Sequence, residues 1–291
     1  MTKNFTFLFF IFISASLSAQ QLQWLKLNKY KTAVLSDILS ENSGLAFFNN
    51  RMFTINDSGN TPDLFEIDQT TGEIKKIFST PLRNKDWEAV TADSTNIYIG
   101  DFGNNLGNRD DLVVYRLPKI DSLEVGNIES LPFYYPEQKN FNEKNLQNNF
   151  DAEAMIYLNG KIHVFTKEWV SRATTHYTID PSAEGKRPAE KLEFYQTGYV
   201  VTDAAYFEGR LFLVGYTKKG EVYLTVFRES SPEIFFEREP QKYYLGSSLS
   251  VGQIEGIAAD KNGLYISGEA LRLPFLKVKP RLYFIPYADL K

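Results

Sequence analysis

Cysteine is absent from all 291 residues, and histidine occurs only twice, at His163 and His176. Without thiols there is no disulfide, so stability must come from a large core or a bound ion. The same shortages leave zinc, copper and haem sites without a ligand set, and they make a Ser-His-Asp hydrolase improbable. An excess of one charge is also missing. Lys and Arg number 32 against 36 Asp and Glu, a net charge of −4, which leaves no overall electrostatic footprint for nucleic acid or anionic lipid. After the first twenty residues no apolar run is long enough to predict a membrane span. Helical periodicity is scarce too, and short alternating runs between turn residues take its place.

The one apolar run lies at the start. Lys3 gives a positive opening, residues 5–17 are apolar, and Ser16-Leu17-Ser18-Ala19-Gln20 offers a small-residue cleavage point. That layout predicts a secretory signal peptide over residues 1–19, with an uncleaved anchor as the alternative. No cysteine follows, which excludes lipoprotein acylation. The expectation is an exported, periplasmic or extracellular, monomeric protein with one domain over residues 20–291. Abundant Asn, Lys, Phe and Ile without Cys reads as bacterial.

What is present is a repeat. Ser43, Glu88, Glu153, Thr202 and Glu255 each stand nine positions ahead of a short apolar strand, starting at Met52, Ile97, Ile162, Leu211 and Leu264. One offset kept five times implies one supersecondary unit used five times. Two positions after each marker comes an apolar residue: Leu45, Val90, Met155, Ala204 and Ile257. This is how an innermost strand reads when it begins polar and continues into core. In the first unit, strands are expected at 44–48, 52–55, 63–68 and 73–78, the four antiparallel strands of a propeller blade. Asn49-Asn50, Asn159-Gly160, Glu208-Gly209 and Asn262-Gly263 fall between first and second strands, where two-residue hairpins need positive φ.

The markers are spaced by 45, 65, 49 and 53 residues, and only 36 residues follow the last. The final blade is therefore short of a strand. Residues 22–27 and 32–35 read as strands, and the N-terminus is expected to supply the missing outer strand and close the ring. The fold class is all-β, a five-bladed β-propeller closed by an N-terminal strand; a six-bladed ring with a degenerate unit in the 65-residue interval is the alternative. Residues 136–149 there, rich in Asn, Lys and Gln, read as a surface loop.

Pseudo-symmetry would gather the five markers at one depth around the axis. Three carboxylates converging in a partly dry channel repel one another. A hard cation relieves this, and Ca²⁺ takes about six to eight oxygen ligands of these kinds. Ser43, Glu88, Glu153, Thr202 and Glu255 are thus the candidate calcium ligands. Mg²⁺, Na⁺, or mere capping of backbone groups are the alternatives.

The ordered set Ser43-Gly44-Leu45, Trp87-Glu88-Ala89-Val90, Asp151-Ala152-Glu153-Ala154, Thr202-Asp203 and Ile254-Glu255-Gly256-Ile257 resembles the calcium-activated nucleotidases, the secreted apyrases. The resemblance implies a five-bladed propeller with a central calcium held by such a ring. It covers these short motifs and their register, not continuous similarity. The chain departs from that family after the second strand of the first blade. There the family carries an acidic, Arg-containing turn, while this chain has Asn56-Asp57-Ser58-Gly59-Asn60 and no arginine. More loosely the chain looks like secreted phytase-like and gluconolactonase-like propellers.

Second strands return to the face where first strands begin, so their ends should surround the same mouth. They carry Asn56-Asp57, Asp101 with Asn104-Asn105, Lys167-Glu168-Trp169, Tyr216-Thr217-Lys218 and Glu269, with Arg109 and Arg272 nearby in sequence. A rim of acids, amides, cations and aromatics suits a small polar or phosphorylated ligand. The candidate catalytic residues are Asp57 or Asp101 to position or deprotonate water, and Lys167 and Arg109 to stabilise phosphate charge. The Asp57 and Asp101 segments are also ordinary turn formers, and His163 reads as a packed core residue. The functional readings are a metal-dependent phosphohydrolase, a non-catalytic propeller binding a glycan, peptide or surface partner, and a lactonase- or esterase-like hydrolase.

Overall fold

The computed structural model describes residues 22–118 and 128–290; the expected signal peptide over 1–19 lies outside the described residues. Five four-stranded antiparallel blades form one ring. The first blade is built from Asn42–Phe48, Arg51–Asn56, Asp63–Ile67 and Ile74–Ser79, in order from the axis outward. The inner strands of the other four are Trp87–Ala92, Ala152–Leu158, Val200–Phe207 and Gln253–Ala259, and each lies beside the next around the ring. The ring has five blades, not six, because the 65-residue interval is taken up by the outer strands of the second blade and by the strandless stretch 136–149.

The N-terminus closes the ring. Lys31–Val34 pairs antiparallel with Arg281–Pro286 as the outer strand of the fifth blade. The earlier expected strand shrinks to Gln23–Trp24, which pairs in parallel with the outer strand of the fourth blade. The chain thus grips two neighbouring blades where the circle is joined.

In every blade the residue two after the marker pairs with the residue eleven after it: Leu45 with Thr54, Val90 with Ile99, Met155 with Val164, Ala204 with Leu213 and Ile257 with Ile266. The ladder also shifts register at the marker in every blade. The skipped residue is Gly44 in the first, where φ is +71°, and Glu88, Glu153, Thr202 and Glu255 in the others. Strands therefore begin one or two residues ahead of the markers. A bulge frees one residue from the ladder and re-aims its side chain, here at the same depth in four blades; in the first the freed residue is a glycine and Ser43 stays paired with Ile55.

Three of the four first hairpins carry the expected positive φ, at Asn49-Asn50, Asn159-Gly160 and Glu208-Gly209. The fifth blade turns otherwise. Asp260 Oδ1 accepts from the backbone N–H of Asn262 and Gly263, so a side chain replaces the left-handed backbone. Asp93 does the same for Thr95 and Asn96 in the second blade.

Five apolar clusters fill the five blade-to-blade interfaces, among them Phe53 and Ile99 between the first two blades and Phe165 with Leu213 between the third and fourth. Each buried aromatic or aliphatic side chain contributes about 1.5–3 kcal/mol. A ring of continuous core is how this chain dispenses with disulfides.

Candidate functional site

The hydroxyl markers and the carboxylate markers do different things. Ser43 Oγ donates to the carbonyl of Glu88 in the next blade at 2.8 Å, and Thr202 Oγ1 donates to the carbonyl of Ile254 at 2.7 Å. Both stitch neighbouring inner strands at the bulges. Glu88, Glu153 and Glu255 instead face a central cavity of about 200 Å³, with Ser43 at its wall and Asp57, Asn105, Lys167, Trp169, Tyr216, Gln253 and Glu269 as the other lining residues. Thr202 does not line it. Four of the five expected ring residues therefore reach one cavity.

A cation is already there. The buried Lys167 Nζ pairs with Glu153 Oε1 and stands 5.1 Å from the Trp169 ring centre and 5.5 Å from that of Tyr216. Burial alone would pull the lysine down, but Glu153, Tyr216, Glu255 and Asp151 outweigh it and hold it charged. Gln253 Nε2 donates to Glu255 Oε1 at 2.7 Å. Lys167 and the second-strand end that carries it thus stand on the Glu153 and Glu255 side of the cavity.

The other side is left anionic. Asp57, Asp86 and Glu88 present carboxylate oxygens that all lie within 4.8 Å of one another. Glu88 is only 4% exposed, and its carboxylate accepts no hydrogen bond among the described residues. Its pKa is driven well up by burial, then by the charges of Asp57, Glu153 and Asp86. Burial, Asp86 and Glu255 raise Asp57 to about 6 against the opposing Ser58 N–H. Glu269 is pushed up to about 9 by burial, Glu255 and Asp57. Five carboxylates and one ammonium line the cavity, an imbalance that a divalent cation would relieve. The donor set fits a hard ion: three carboxylates, one of them buried without a partner, and no nitrogen or sulfur.

Asp86 was not among the sequence candidates. The signal lay in Asp86-Trp87-Glu88, two acids at a period of two around a core tryptophan, but the turn that carries Asp86 precedes the strand. That turn is held by Asp101, whose oxygens accept from the backbone N–H of Lys85 and Asp86 at 3.2 Å each. Asn84 Oδ1 accepts from Trp87 N–H, and its amide reaches the carbonyls of Asn56 and Asp57. Gly103 completes the arrangement: a Cβ there would come within 2.4 Å of both Asp86 Oδ2 and Glu88 Oε1.

The four candidate catalytic residues separate into two pairs. Asp57 and Lys167 line the cavity. Asp101 and Arg109 bind each other behind it, at 2.9 Å, and Arg109 also donates to the Gly103 and Asp101 carbonyls and to Asp111. All of the arginine's reach is spent on fixing the 101–111 loop. Asp151 likewise supports the wall, accepting from Asn104 N–H and Trp169 Nε1.

No family model matches the sequence, and no curated relative matches it. Among solved structures, the chain is similar to one described as "Structure of U3-55K", at 8% identity over 84% of this chain and 68% of that one, with a TM-score of 0.38. A likeness that low carries no argument about site or activity. Among the described residues no helix is long and apolar enough to cross a membrane.

Proposed function

We propose that this propeller is an exported, calcium-dependent hydrolase of phosphate esters, with its cation at Asp57, Asp86 and Glu88. The observation that carries the reading is the convergence of these three carboxylates beside a cavity that also holds a charged lysine. A bound ion there would supply Lewis acidity and a more acidic water. The chain's own residues divide the remaining work. Lys167 offers positive charge to an incoming phosphate, while Glu153 holds its ammonium in place. Trp169 and Tyr216 form an apolar wall beside it, and Asn105 offers an amide at the cavity lining. Asp101 and Arg109 act by position, through the turn that presents Asp86.

A second reading is favoured by one observation: the loop arginine is bound to Asp101 and does not face the cavity. On that reading the ion is architectural and the mouth binds a glycan, peptide or surface partner without turnover. Incubating the purified protein with ATP, UDP, GDP and a generic phosphate ester, with and without Ca²⁺, decides between them. Calcium-dependent phosphate release supports hydrolysis; none under any condition leaves the binding reading.

A further inference from the structure

The mouth is flanked by a feature that the cavity does not use. After the second strand of the fifth blade, Leu271–Leu273 and Leu276–Val278 form a two-stranded hairpin outside the blade sheets. Its turn carries Phe275, which is 101% exposed, and Leu273 beside it is exposed too. The hairpin lies against the helical turn Ser248–Val251, which bears exposed Leu249. At its base Ala270 N–H donates to the Ser40 carbonyl at 2.8 Å, next to exposed Ile38. These segments enter an inner strand or leave a second strand, so all four apolar side chains stand on the mouth face.

The hairpin's charges are arranged against its own stability. Arg272 is paired directly across from Lys277, and like charges in that position repel. Neither makes an ion pair or hydrogen bond among the described residues. An anion between them would turn the repulsion into binding. An exposed aromatic tip flanked by cations suits a lipid surface, with the ring below the headgroups and the cations at the phosphates. The net charge of −4 is a sum over the whole chain and does not describe the tip, where Arg272 and Lys277 stand together.

We propose that the mouth face docks on an anionic lipid surface through this hairpin, and that the phosphate ester presented to the cavity is one carried by a lipid. The second half rests on the hydrolase reading above; the docking does not. The cationic tip disfavours a basic polypeptide as the occupant.

The test is co-sedimentation of the full chain, in EDTA, with vesicles of phosphatidylcholine alone and of phosphatidylcholine mixed with phosphatidylglycerol. Binding to the mixed vesicles is expected, weakened about tenfold or more in L273S/F275S and made insensitive to salt in R272Q/K277Q. Equal binding to both vesicles, or unchanged binding by L273S/F275S, overturns the docking. So does a salt-stable dimer of the protein alone that L273S/F275S dissolves, which assigns the patch to a second copy. Because EDTA removes the ion, failure here is separate from failure of hydrolysis. Calcium-dependent phosphate release from a soluble ester but never from a vesicle-borne one removes the lipid substrate alone.

Discussion

Asp203 in the inner strand of the fourth blade accepts a hydrogen bond from the backbone N–H of Leu45 in the first, 3.2 Å away and 158 residues earlier in the chain. The same carboxylate oxygen accepts from Ile257 in the fifth blade at 2.7 Å, and the other accepts from Ala204 N–H at 2.8 Å. One fully buried side chain therefore joins three blades across the place where the ring closes. Burial drives its pKa well up, although the three N–H donors favour the charged form.

Replacing Asp203 by alanine strands two inter-blade N–H groups, each at about 1–3 kcal/mol. The expected loss is about 3 kcal/mol, read as a lower urea midpoint at unchanged slope. Asn should cost less, because it keeps one acceptor. An alanine variant with the parent midpoint would show that Asp203 does not hold the ring.

Lys167 and Glu153 form the buried ion pair of the site, and breaking such a pair costs about 3–5 kcal/mol. K167M is expected to lose that much at pH 8 and less at pH 5. The sign follows from the acids: Glu153 and Glu255 already have raised pKa values from burial, and without the ammonium they rise further. Groups of that kind are tolerated protonated and lose stability as pH rises. Thermal melts at the two pH values, with E153Q added to K167M as partial rescue, measure it; an equal loss at both values would count against the pairing.

The repeat was legible because a propeller writes its register into spacing: the nine-residue offset became an identical ladder pairing in all five blades. The common depth of the five markers was legible for the same reason. Which markers face the cavity was not, since a bulge decides where a freed side chain points: Thr202 turned to the carbonyl of Ile254, while Ser43, still in the ladder, reaches the wall and the carbonyl of Glu88. Nor could spacing show that Lys167 reaches the axis, because that depends on side-chain length and on Glu153 as its partner. Asp86 lies in a turn whose shape is set by Asp101 and Asn84 from elsewhere in the fold.

If the ion sits at Asp57, Asp86 and Glu88, Ca²⁺ should stabilise the protein by about 2.7 kcal/mol at a hundredfold excess over Kd. D57N, D86N and E88Q should each abolish the calcium-induced rise in Tm. G103A should do so as well, because its methyl would force apart the oxygens of Asp86 and Glu88. E153Q should leave it in place. The ion needs ionised ligands, and Asp57 protonates near pH 6, so the rise should shrink between pH 7 and pH 5. A calcium effect that survives all three carboxylate variants would move the ion elsewhere.

The two histidines make a separate prediction far from the mouth. His163 Nδ1 lies 2.8 Å from His176 Nε2, and His176 Nδ1 lies 3.1 Å from Glu193 Oε2. Burial, then the neighbouring His176, pushes His163 down to about 3. In the unfolded chain it would titrate near pH 6.5. Between those values the unfolded state binds a proton that the folded state refuses, so this contribution is complete above pH 6.5 and is lost as pH falls. The raised carboxyls of the central cavity act in the opposite sense, which makes the total profile ambiguous. The difference between the parent and H163Q is not, because the cavity is common to both. The parent's advantage over H163Q should shrink by about 3 kcal/mol from pH 7 to pH 4, measured by urea denaturation at each pH. A difference that stays constant across that range would mean that His163 takes its proton in the folded protein.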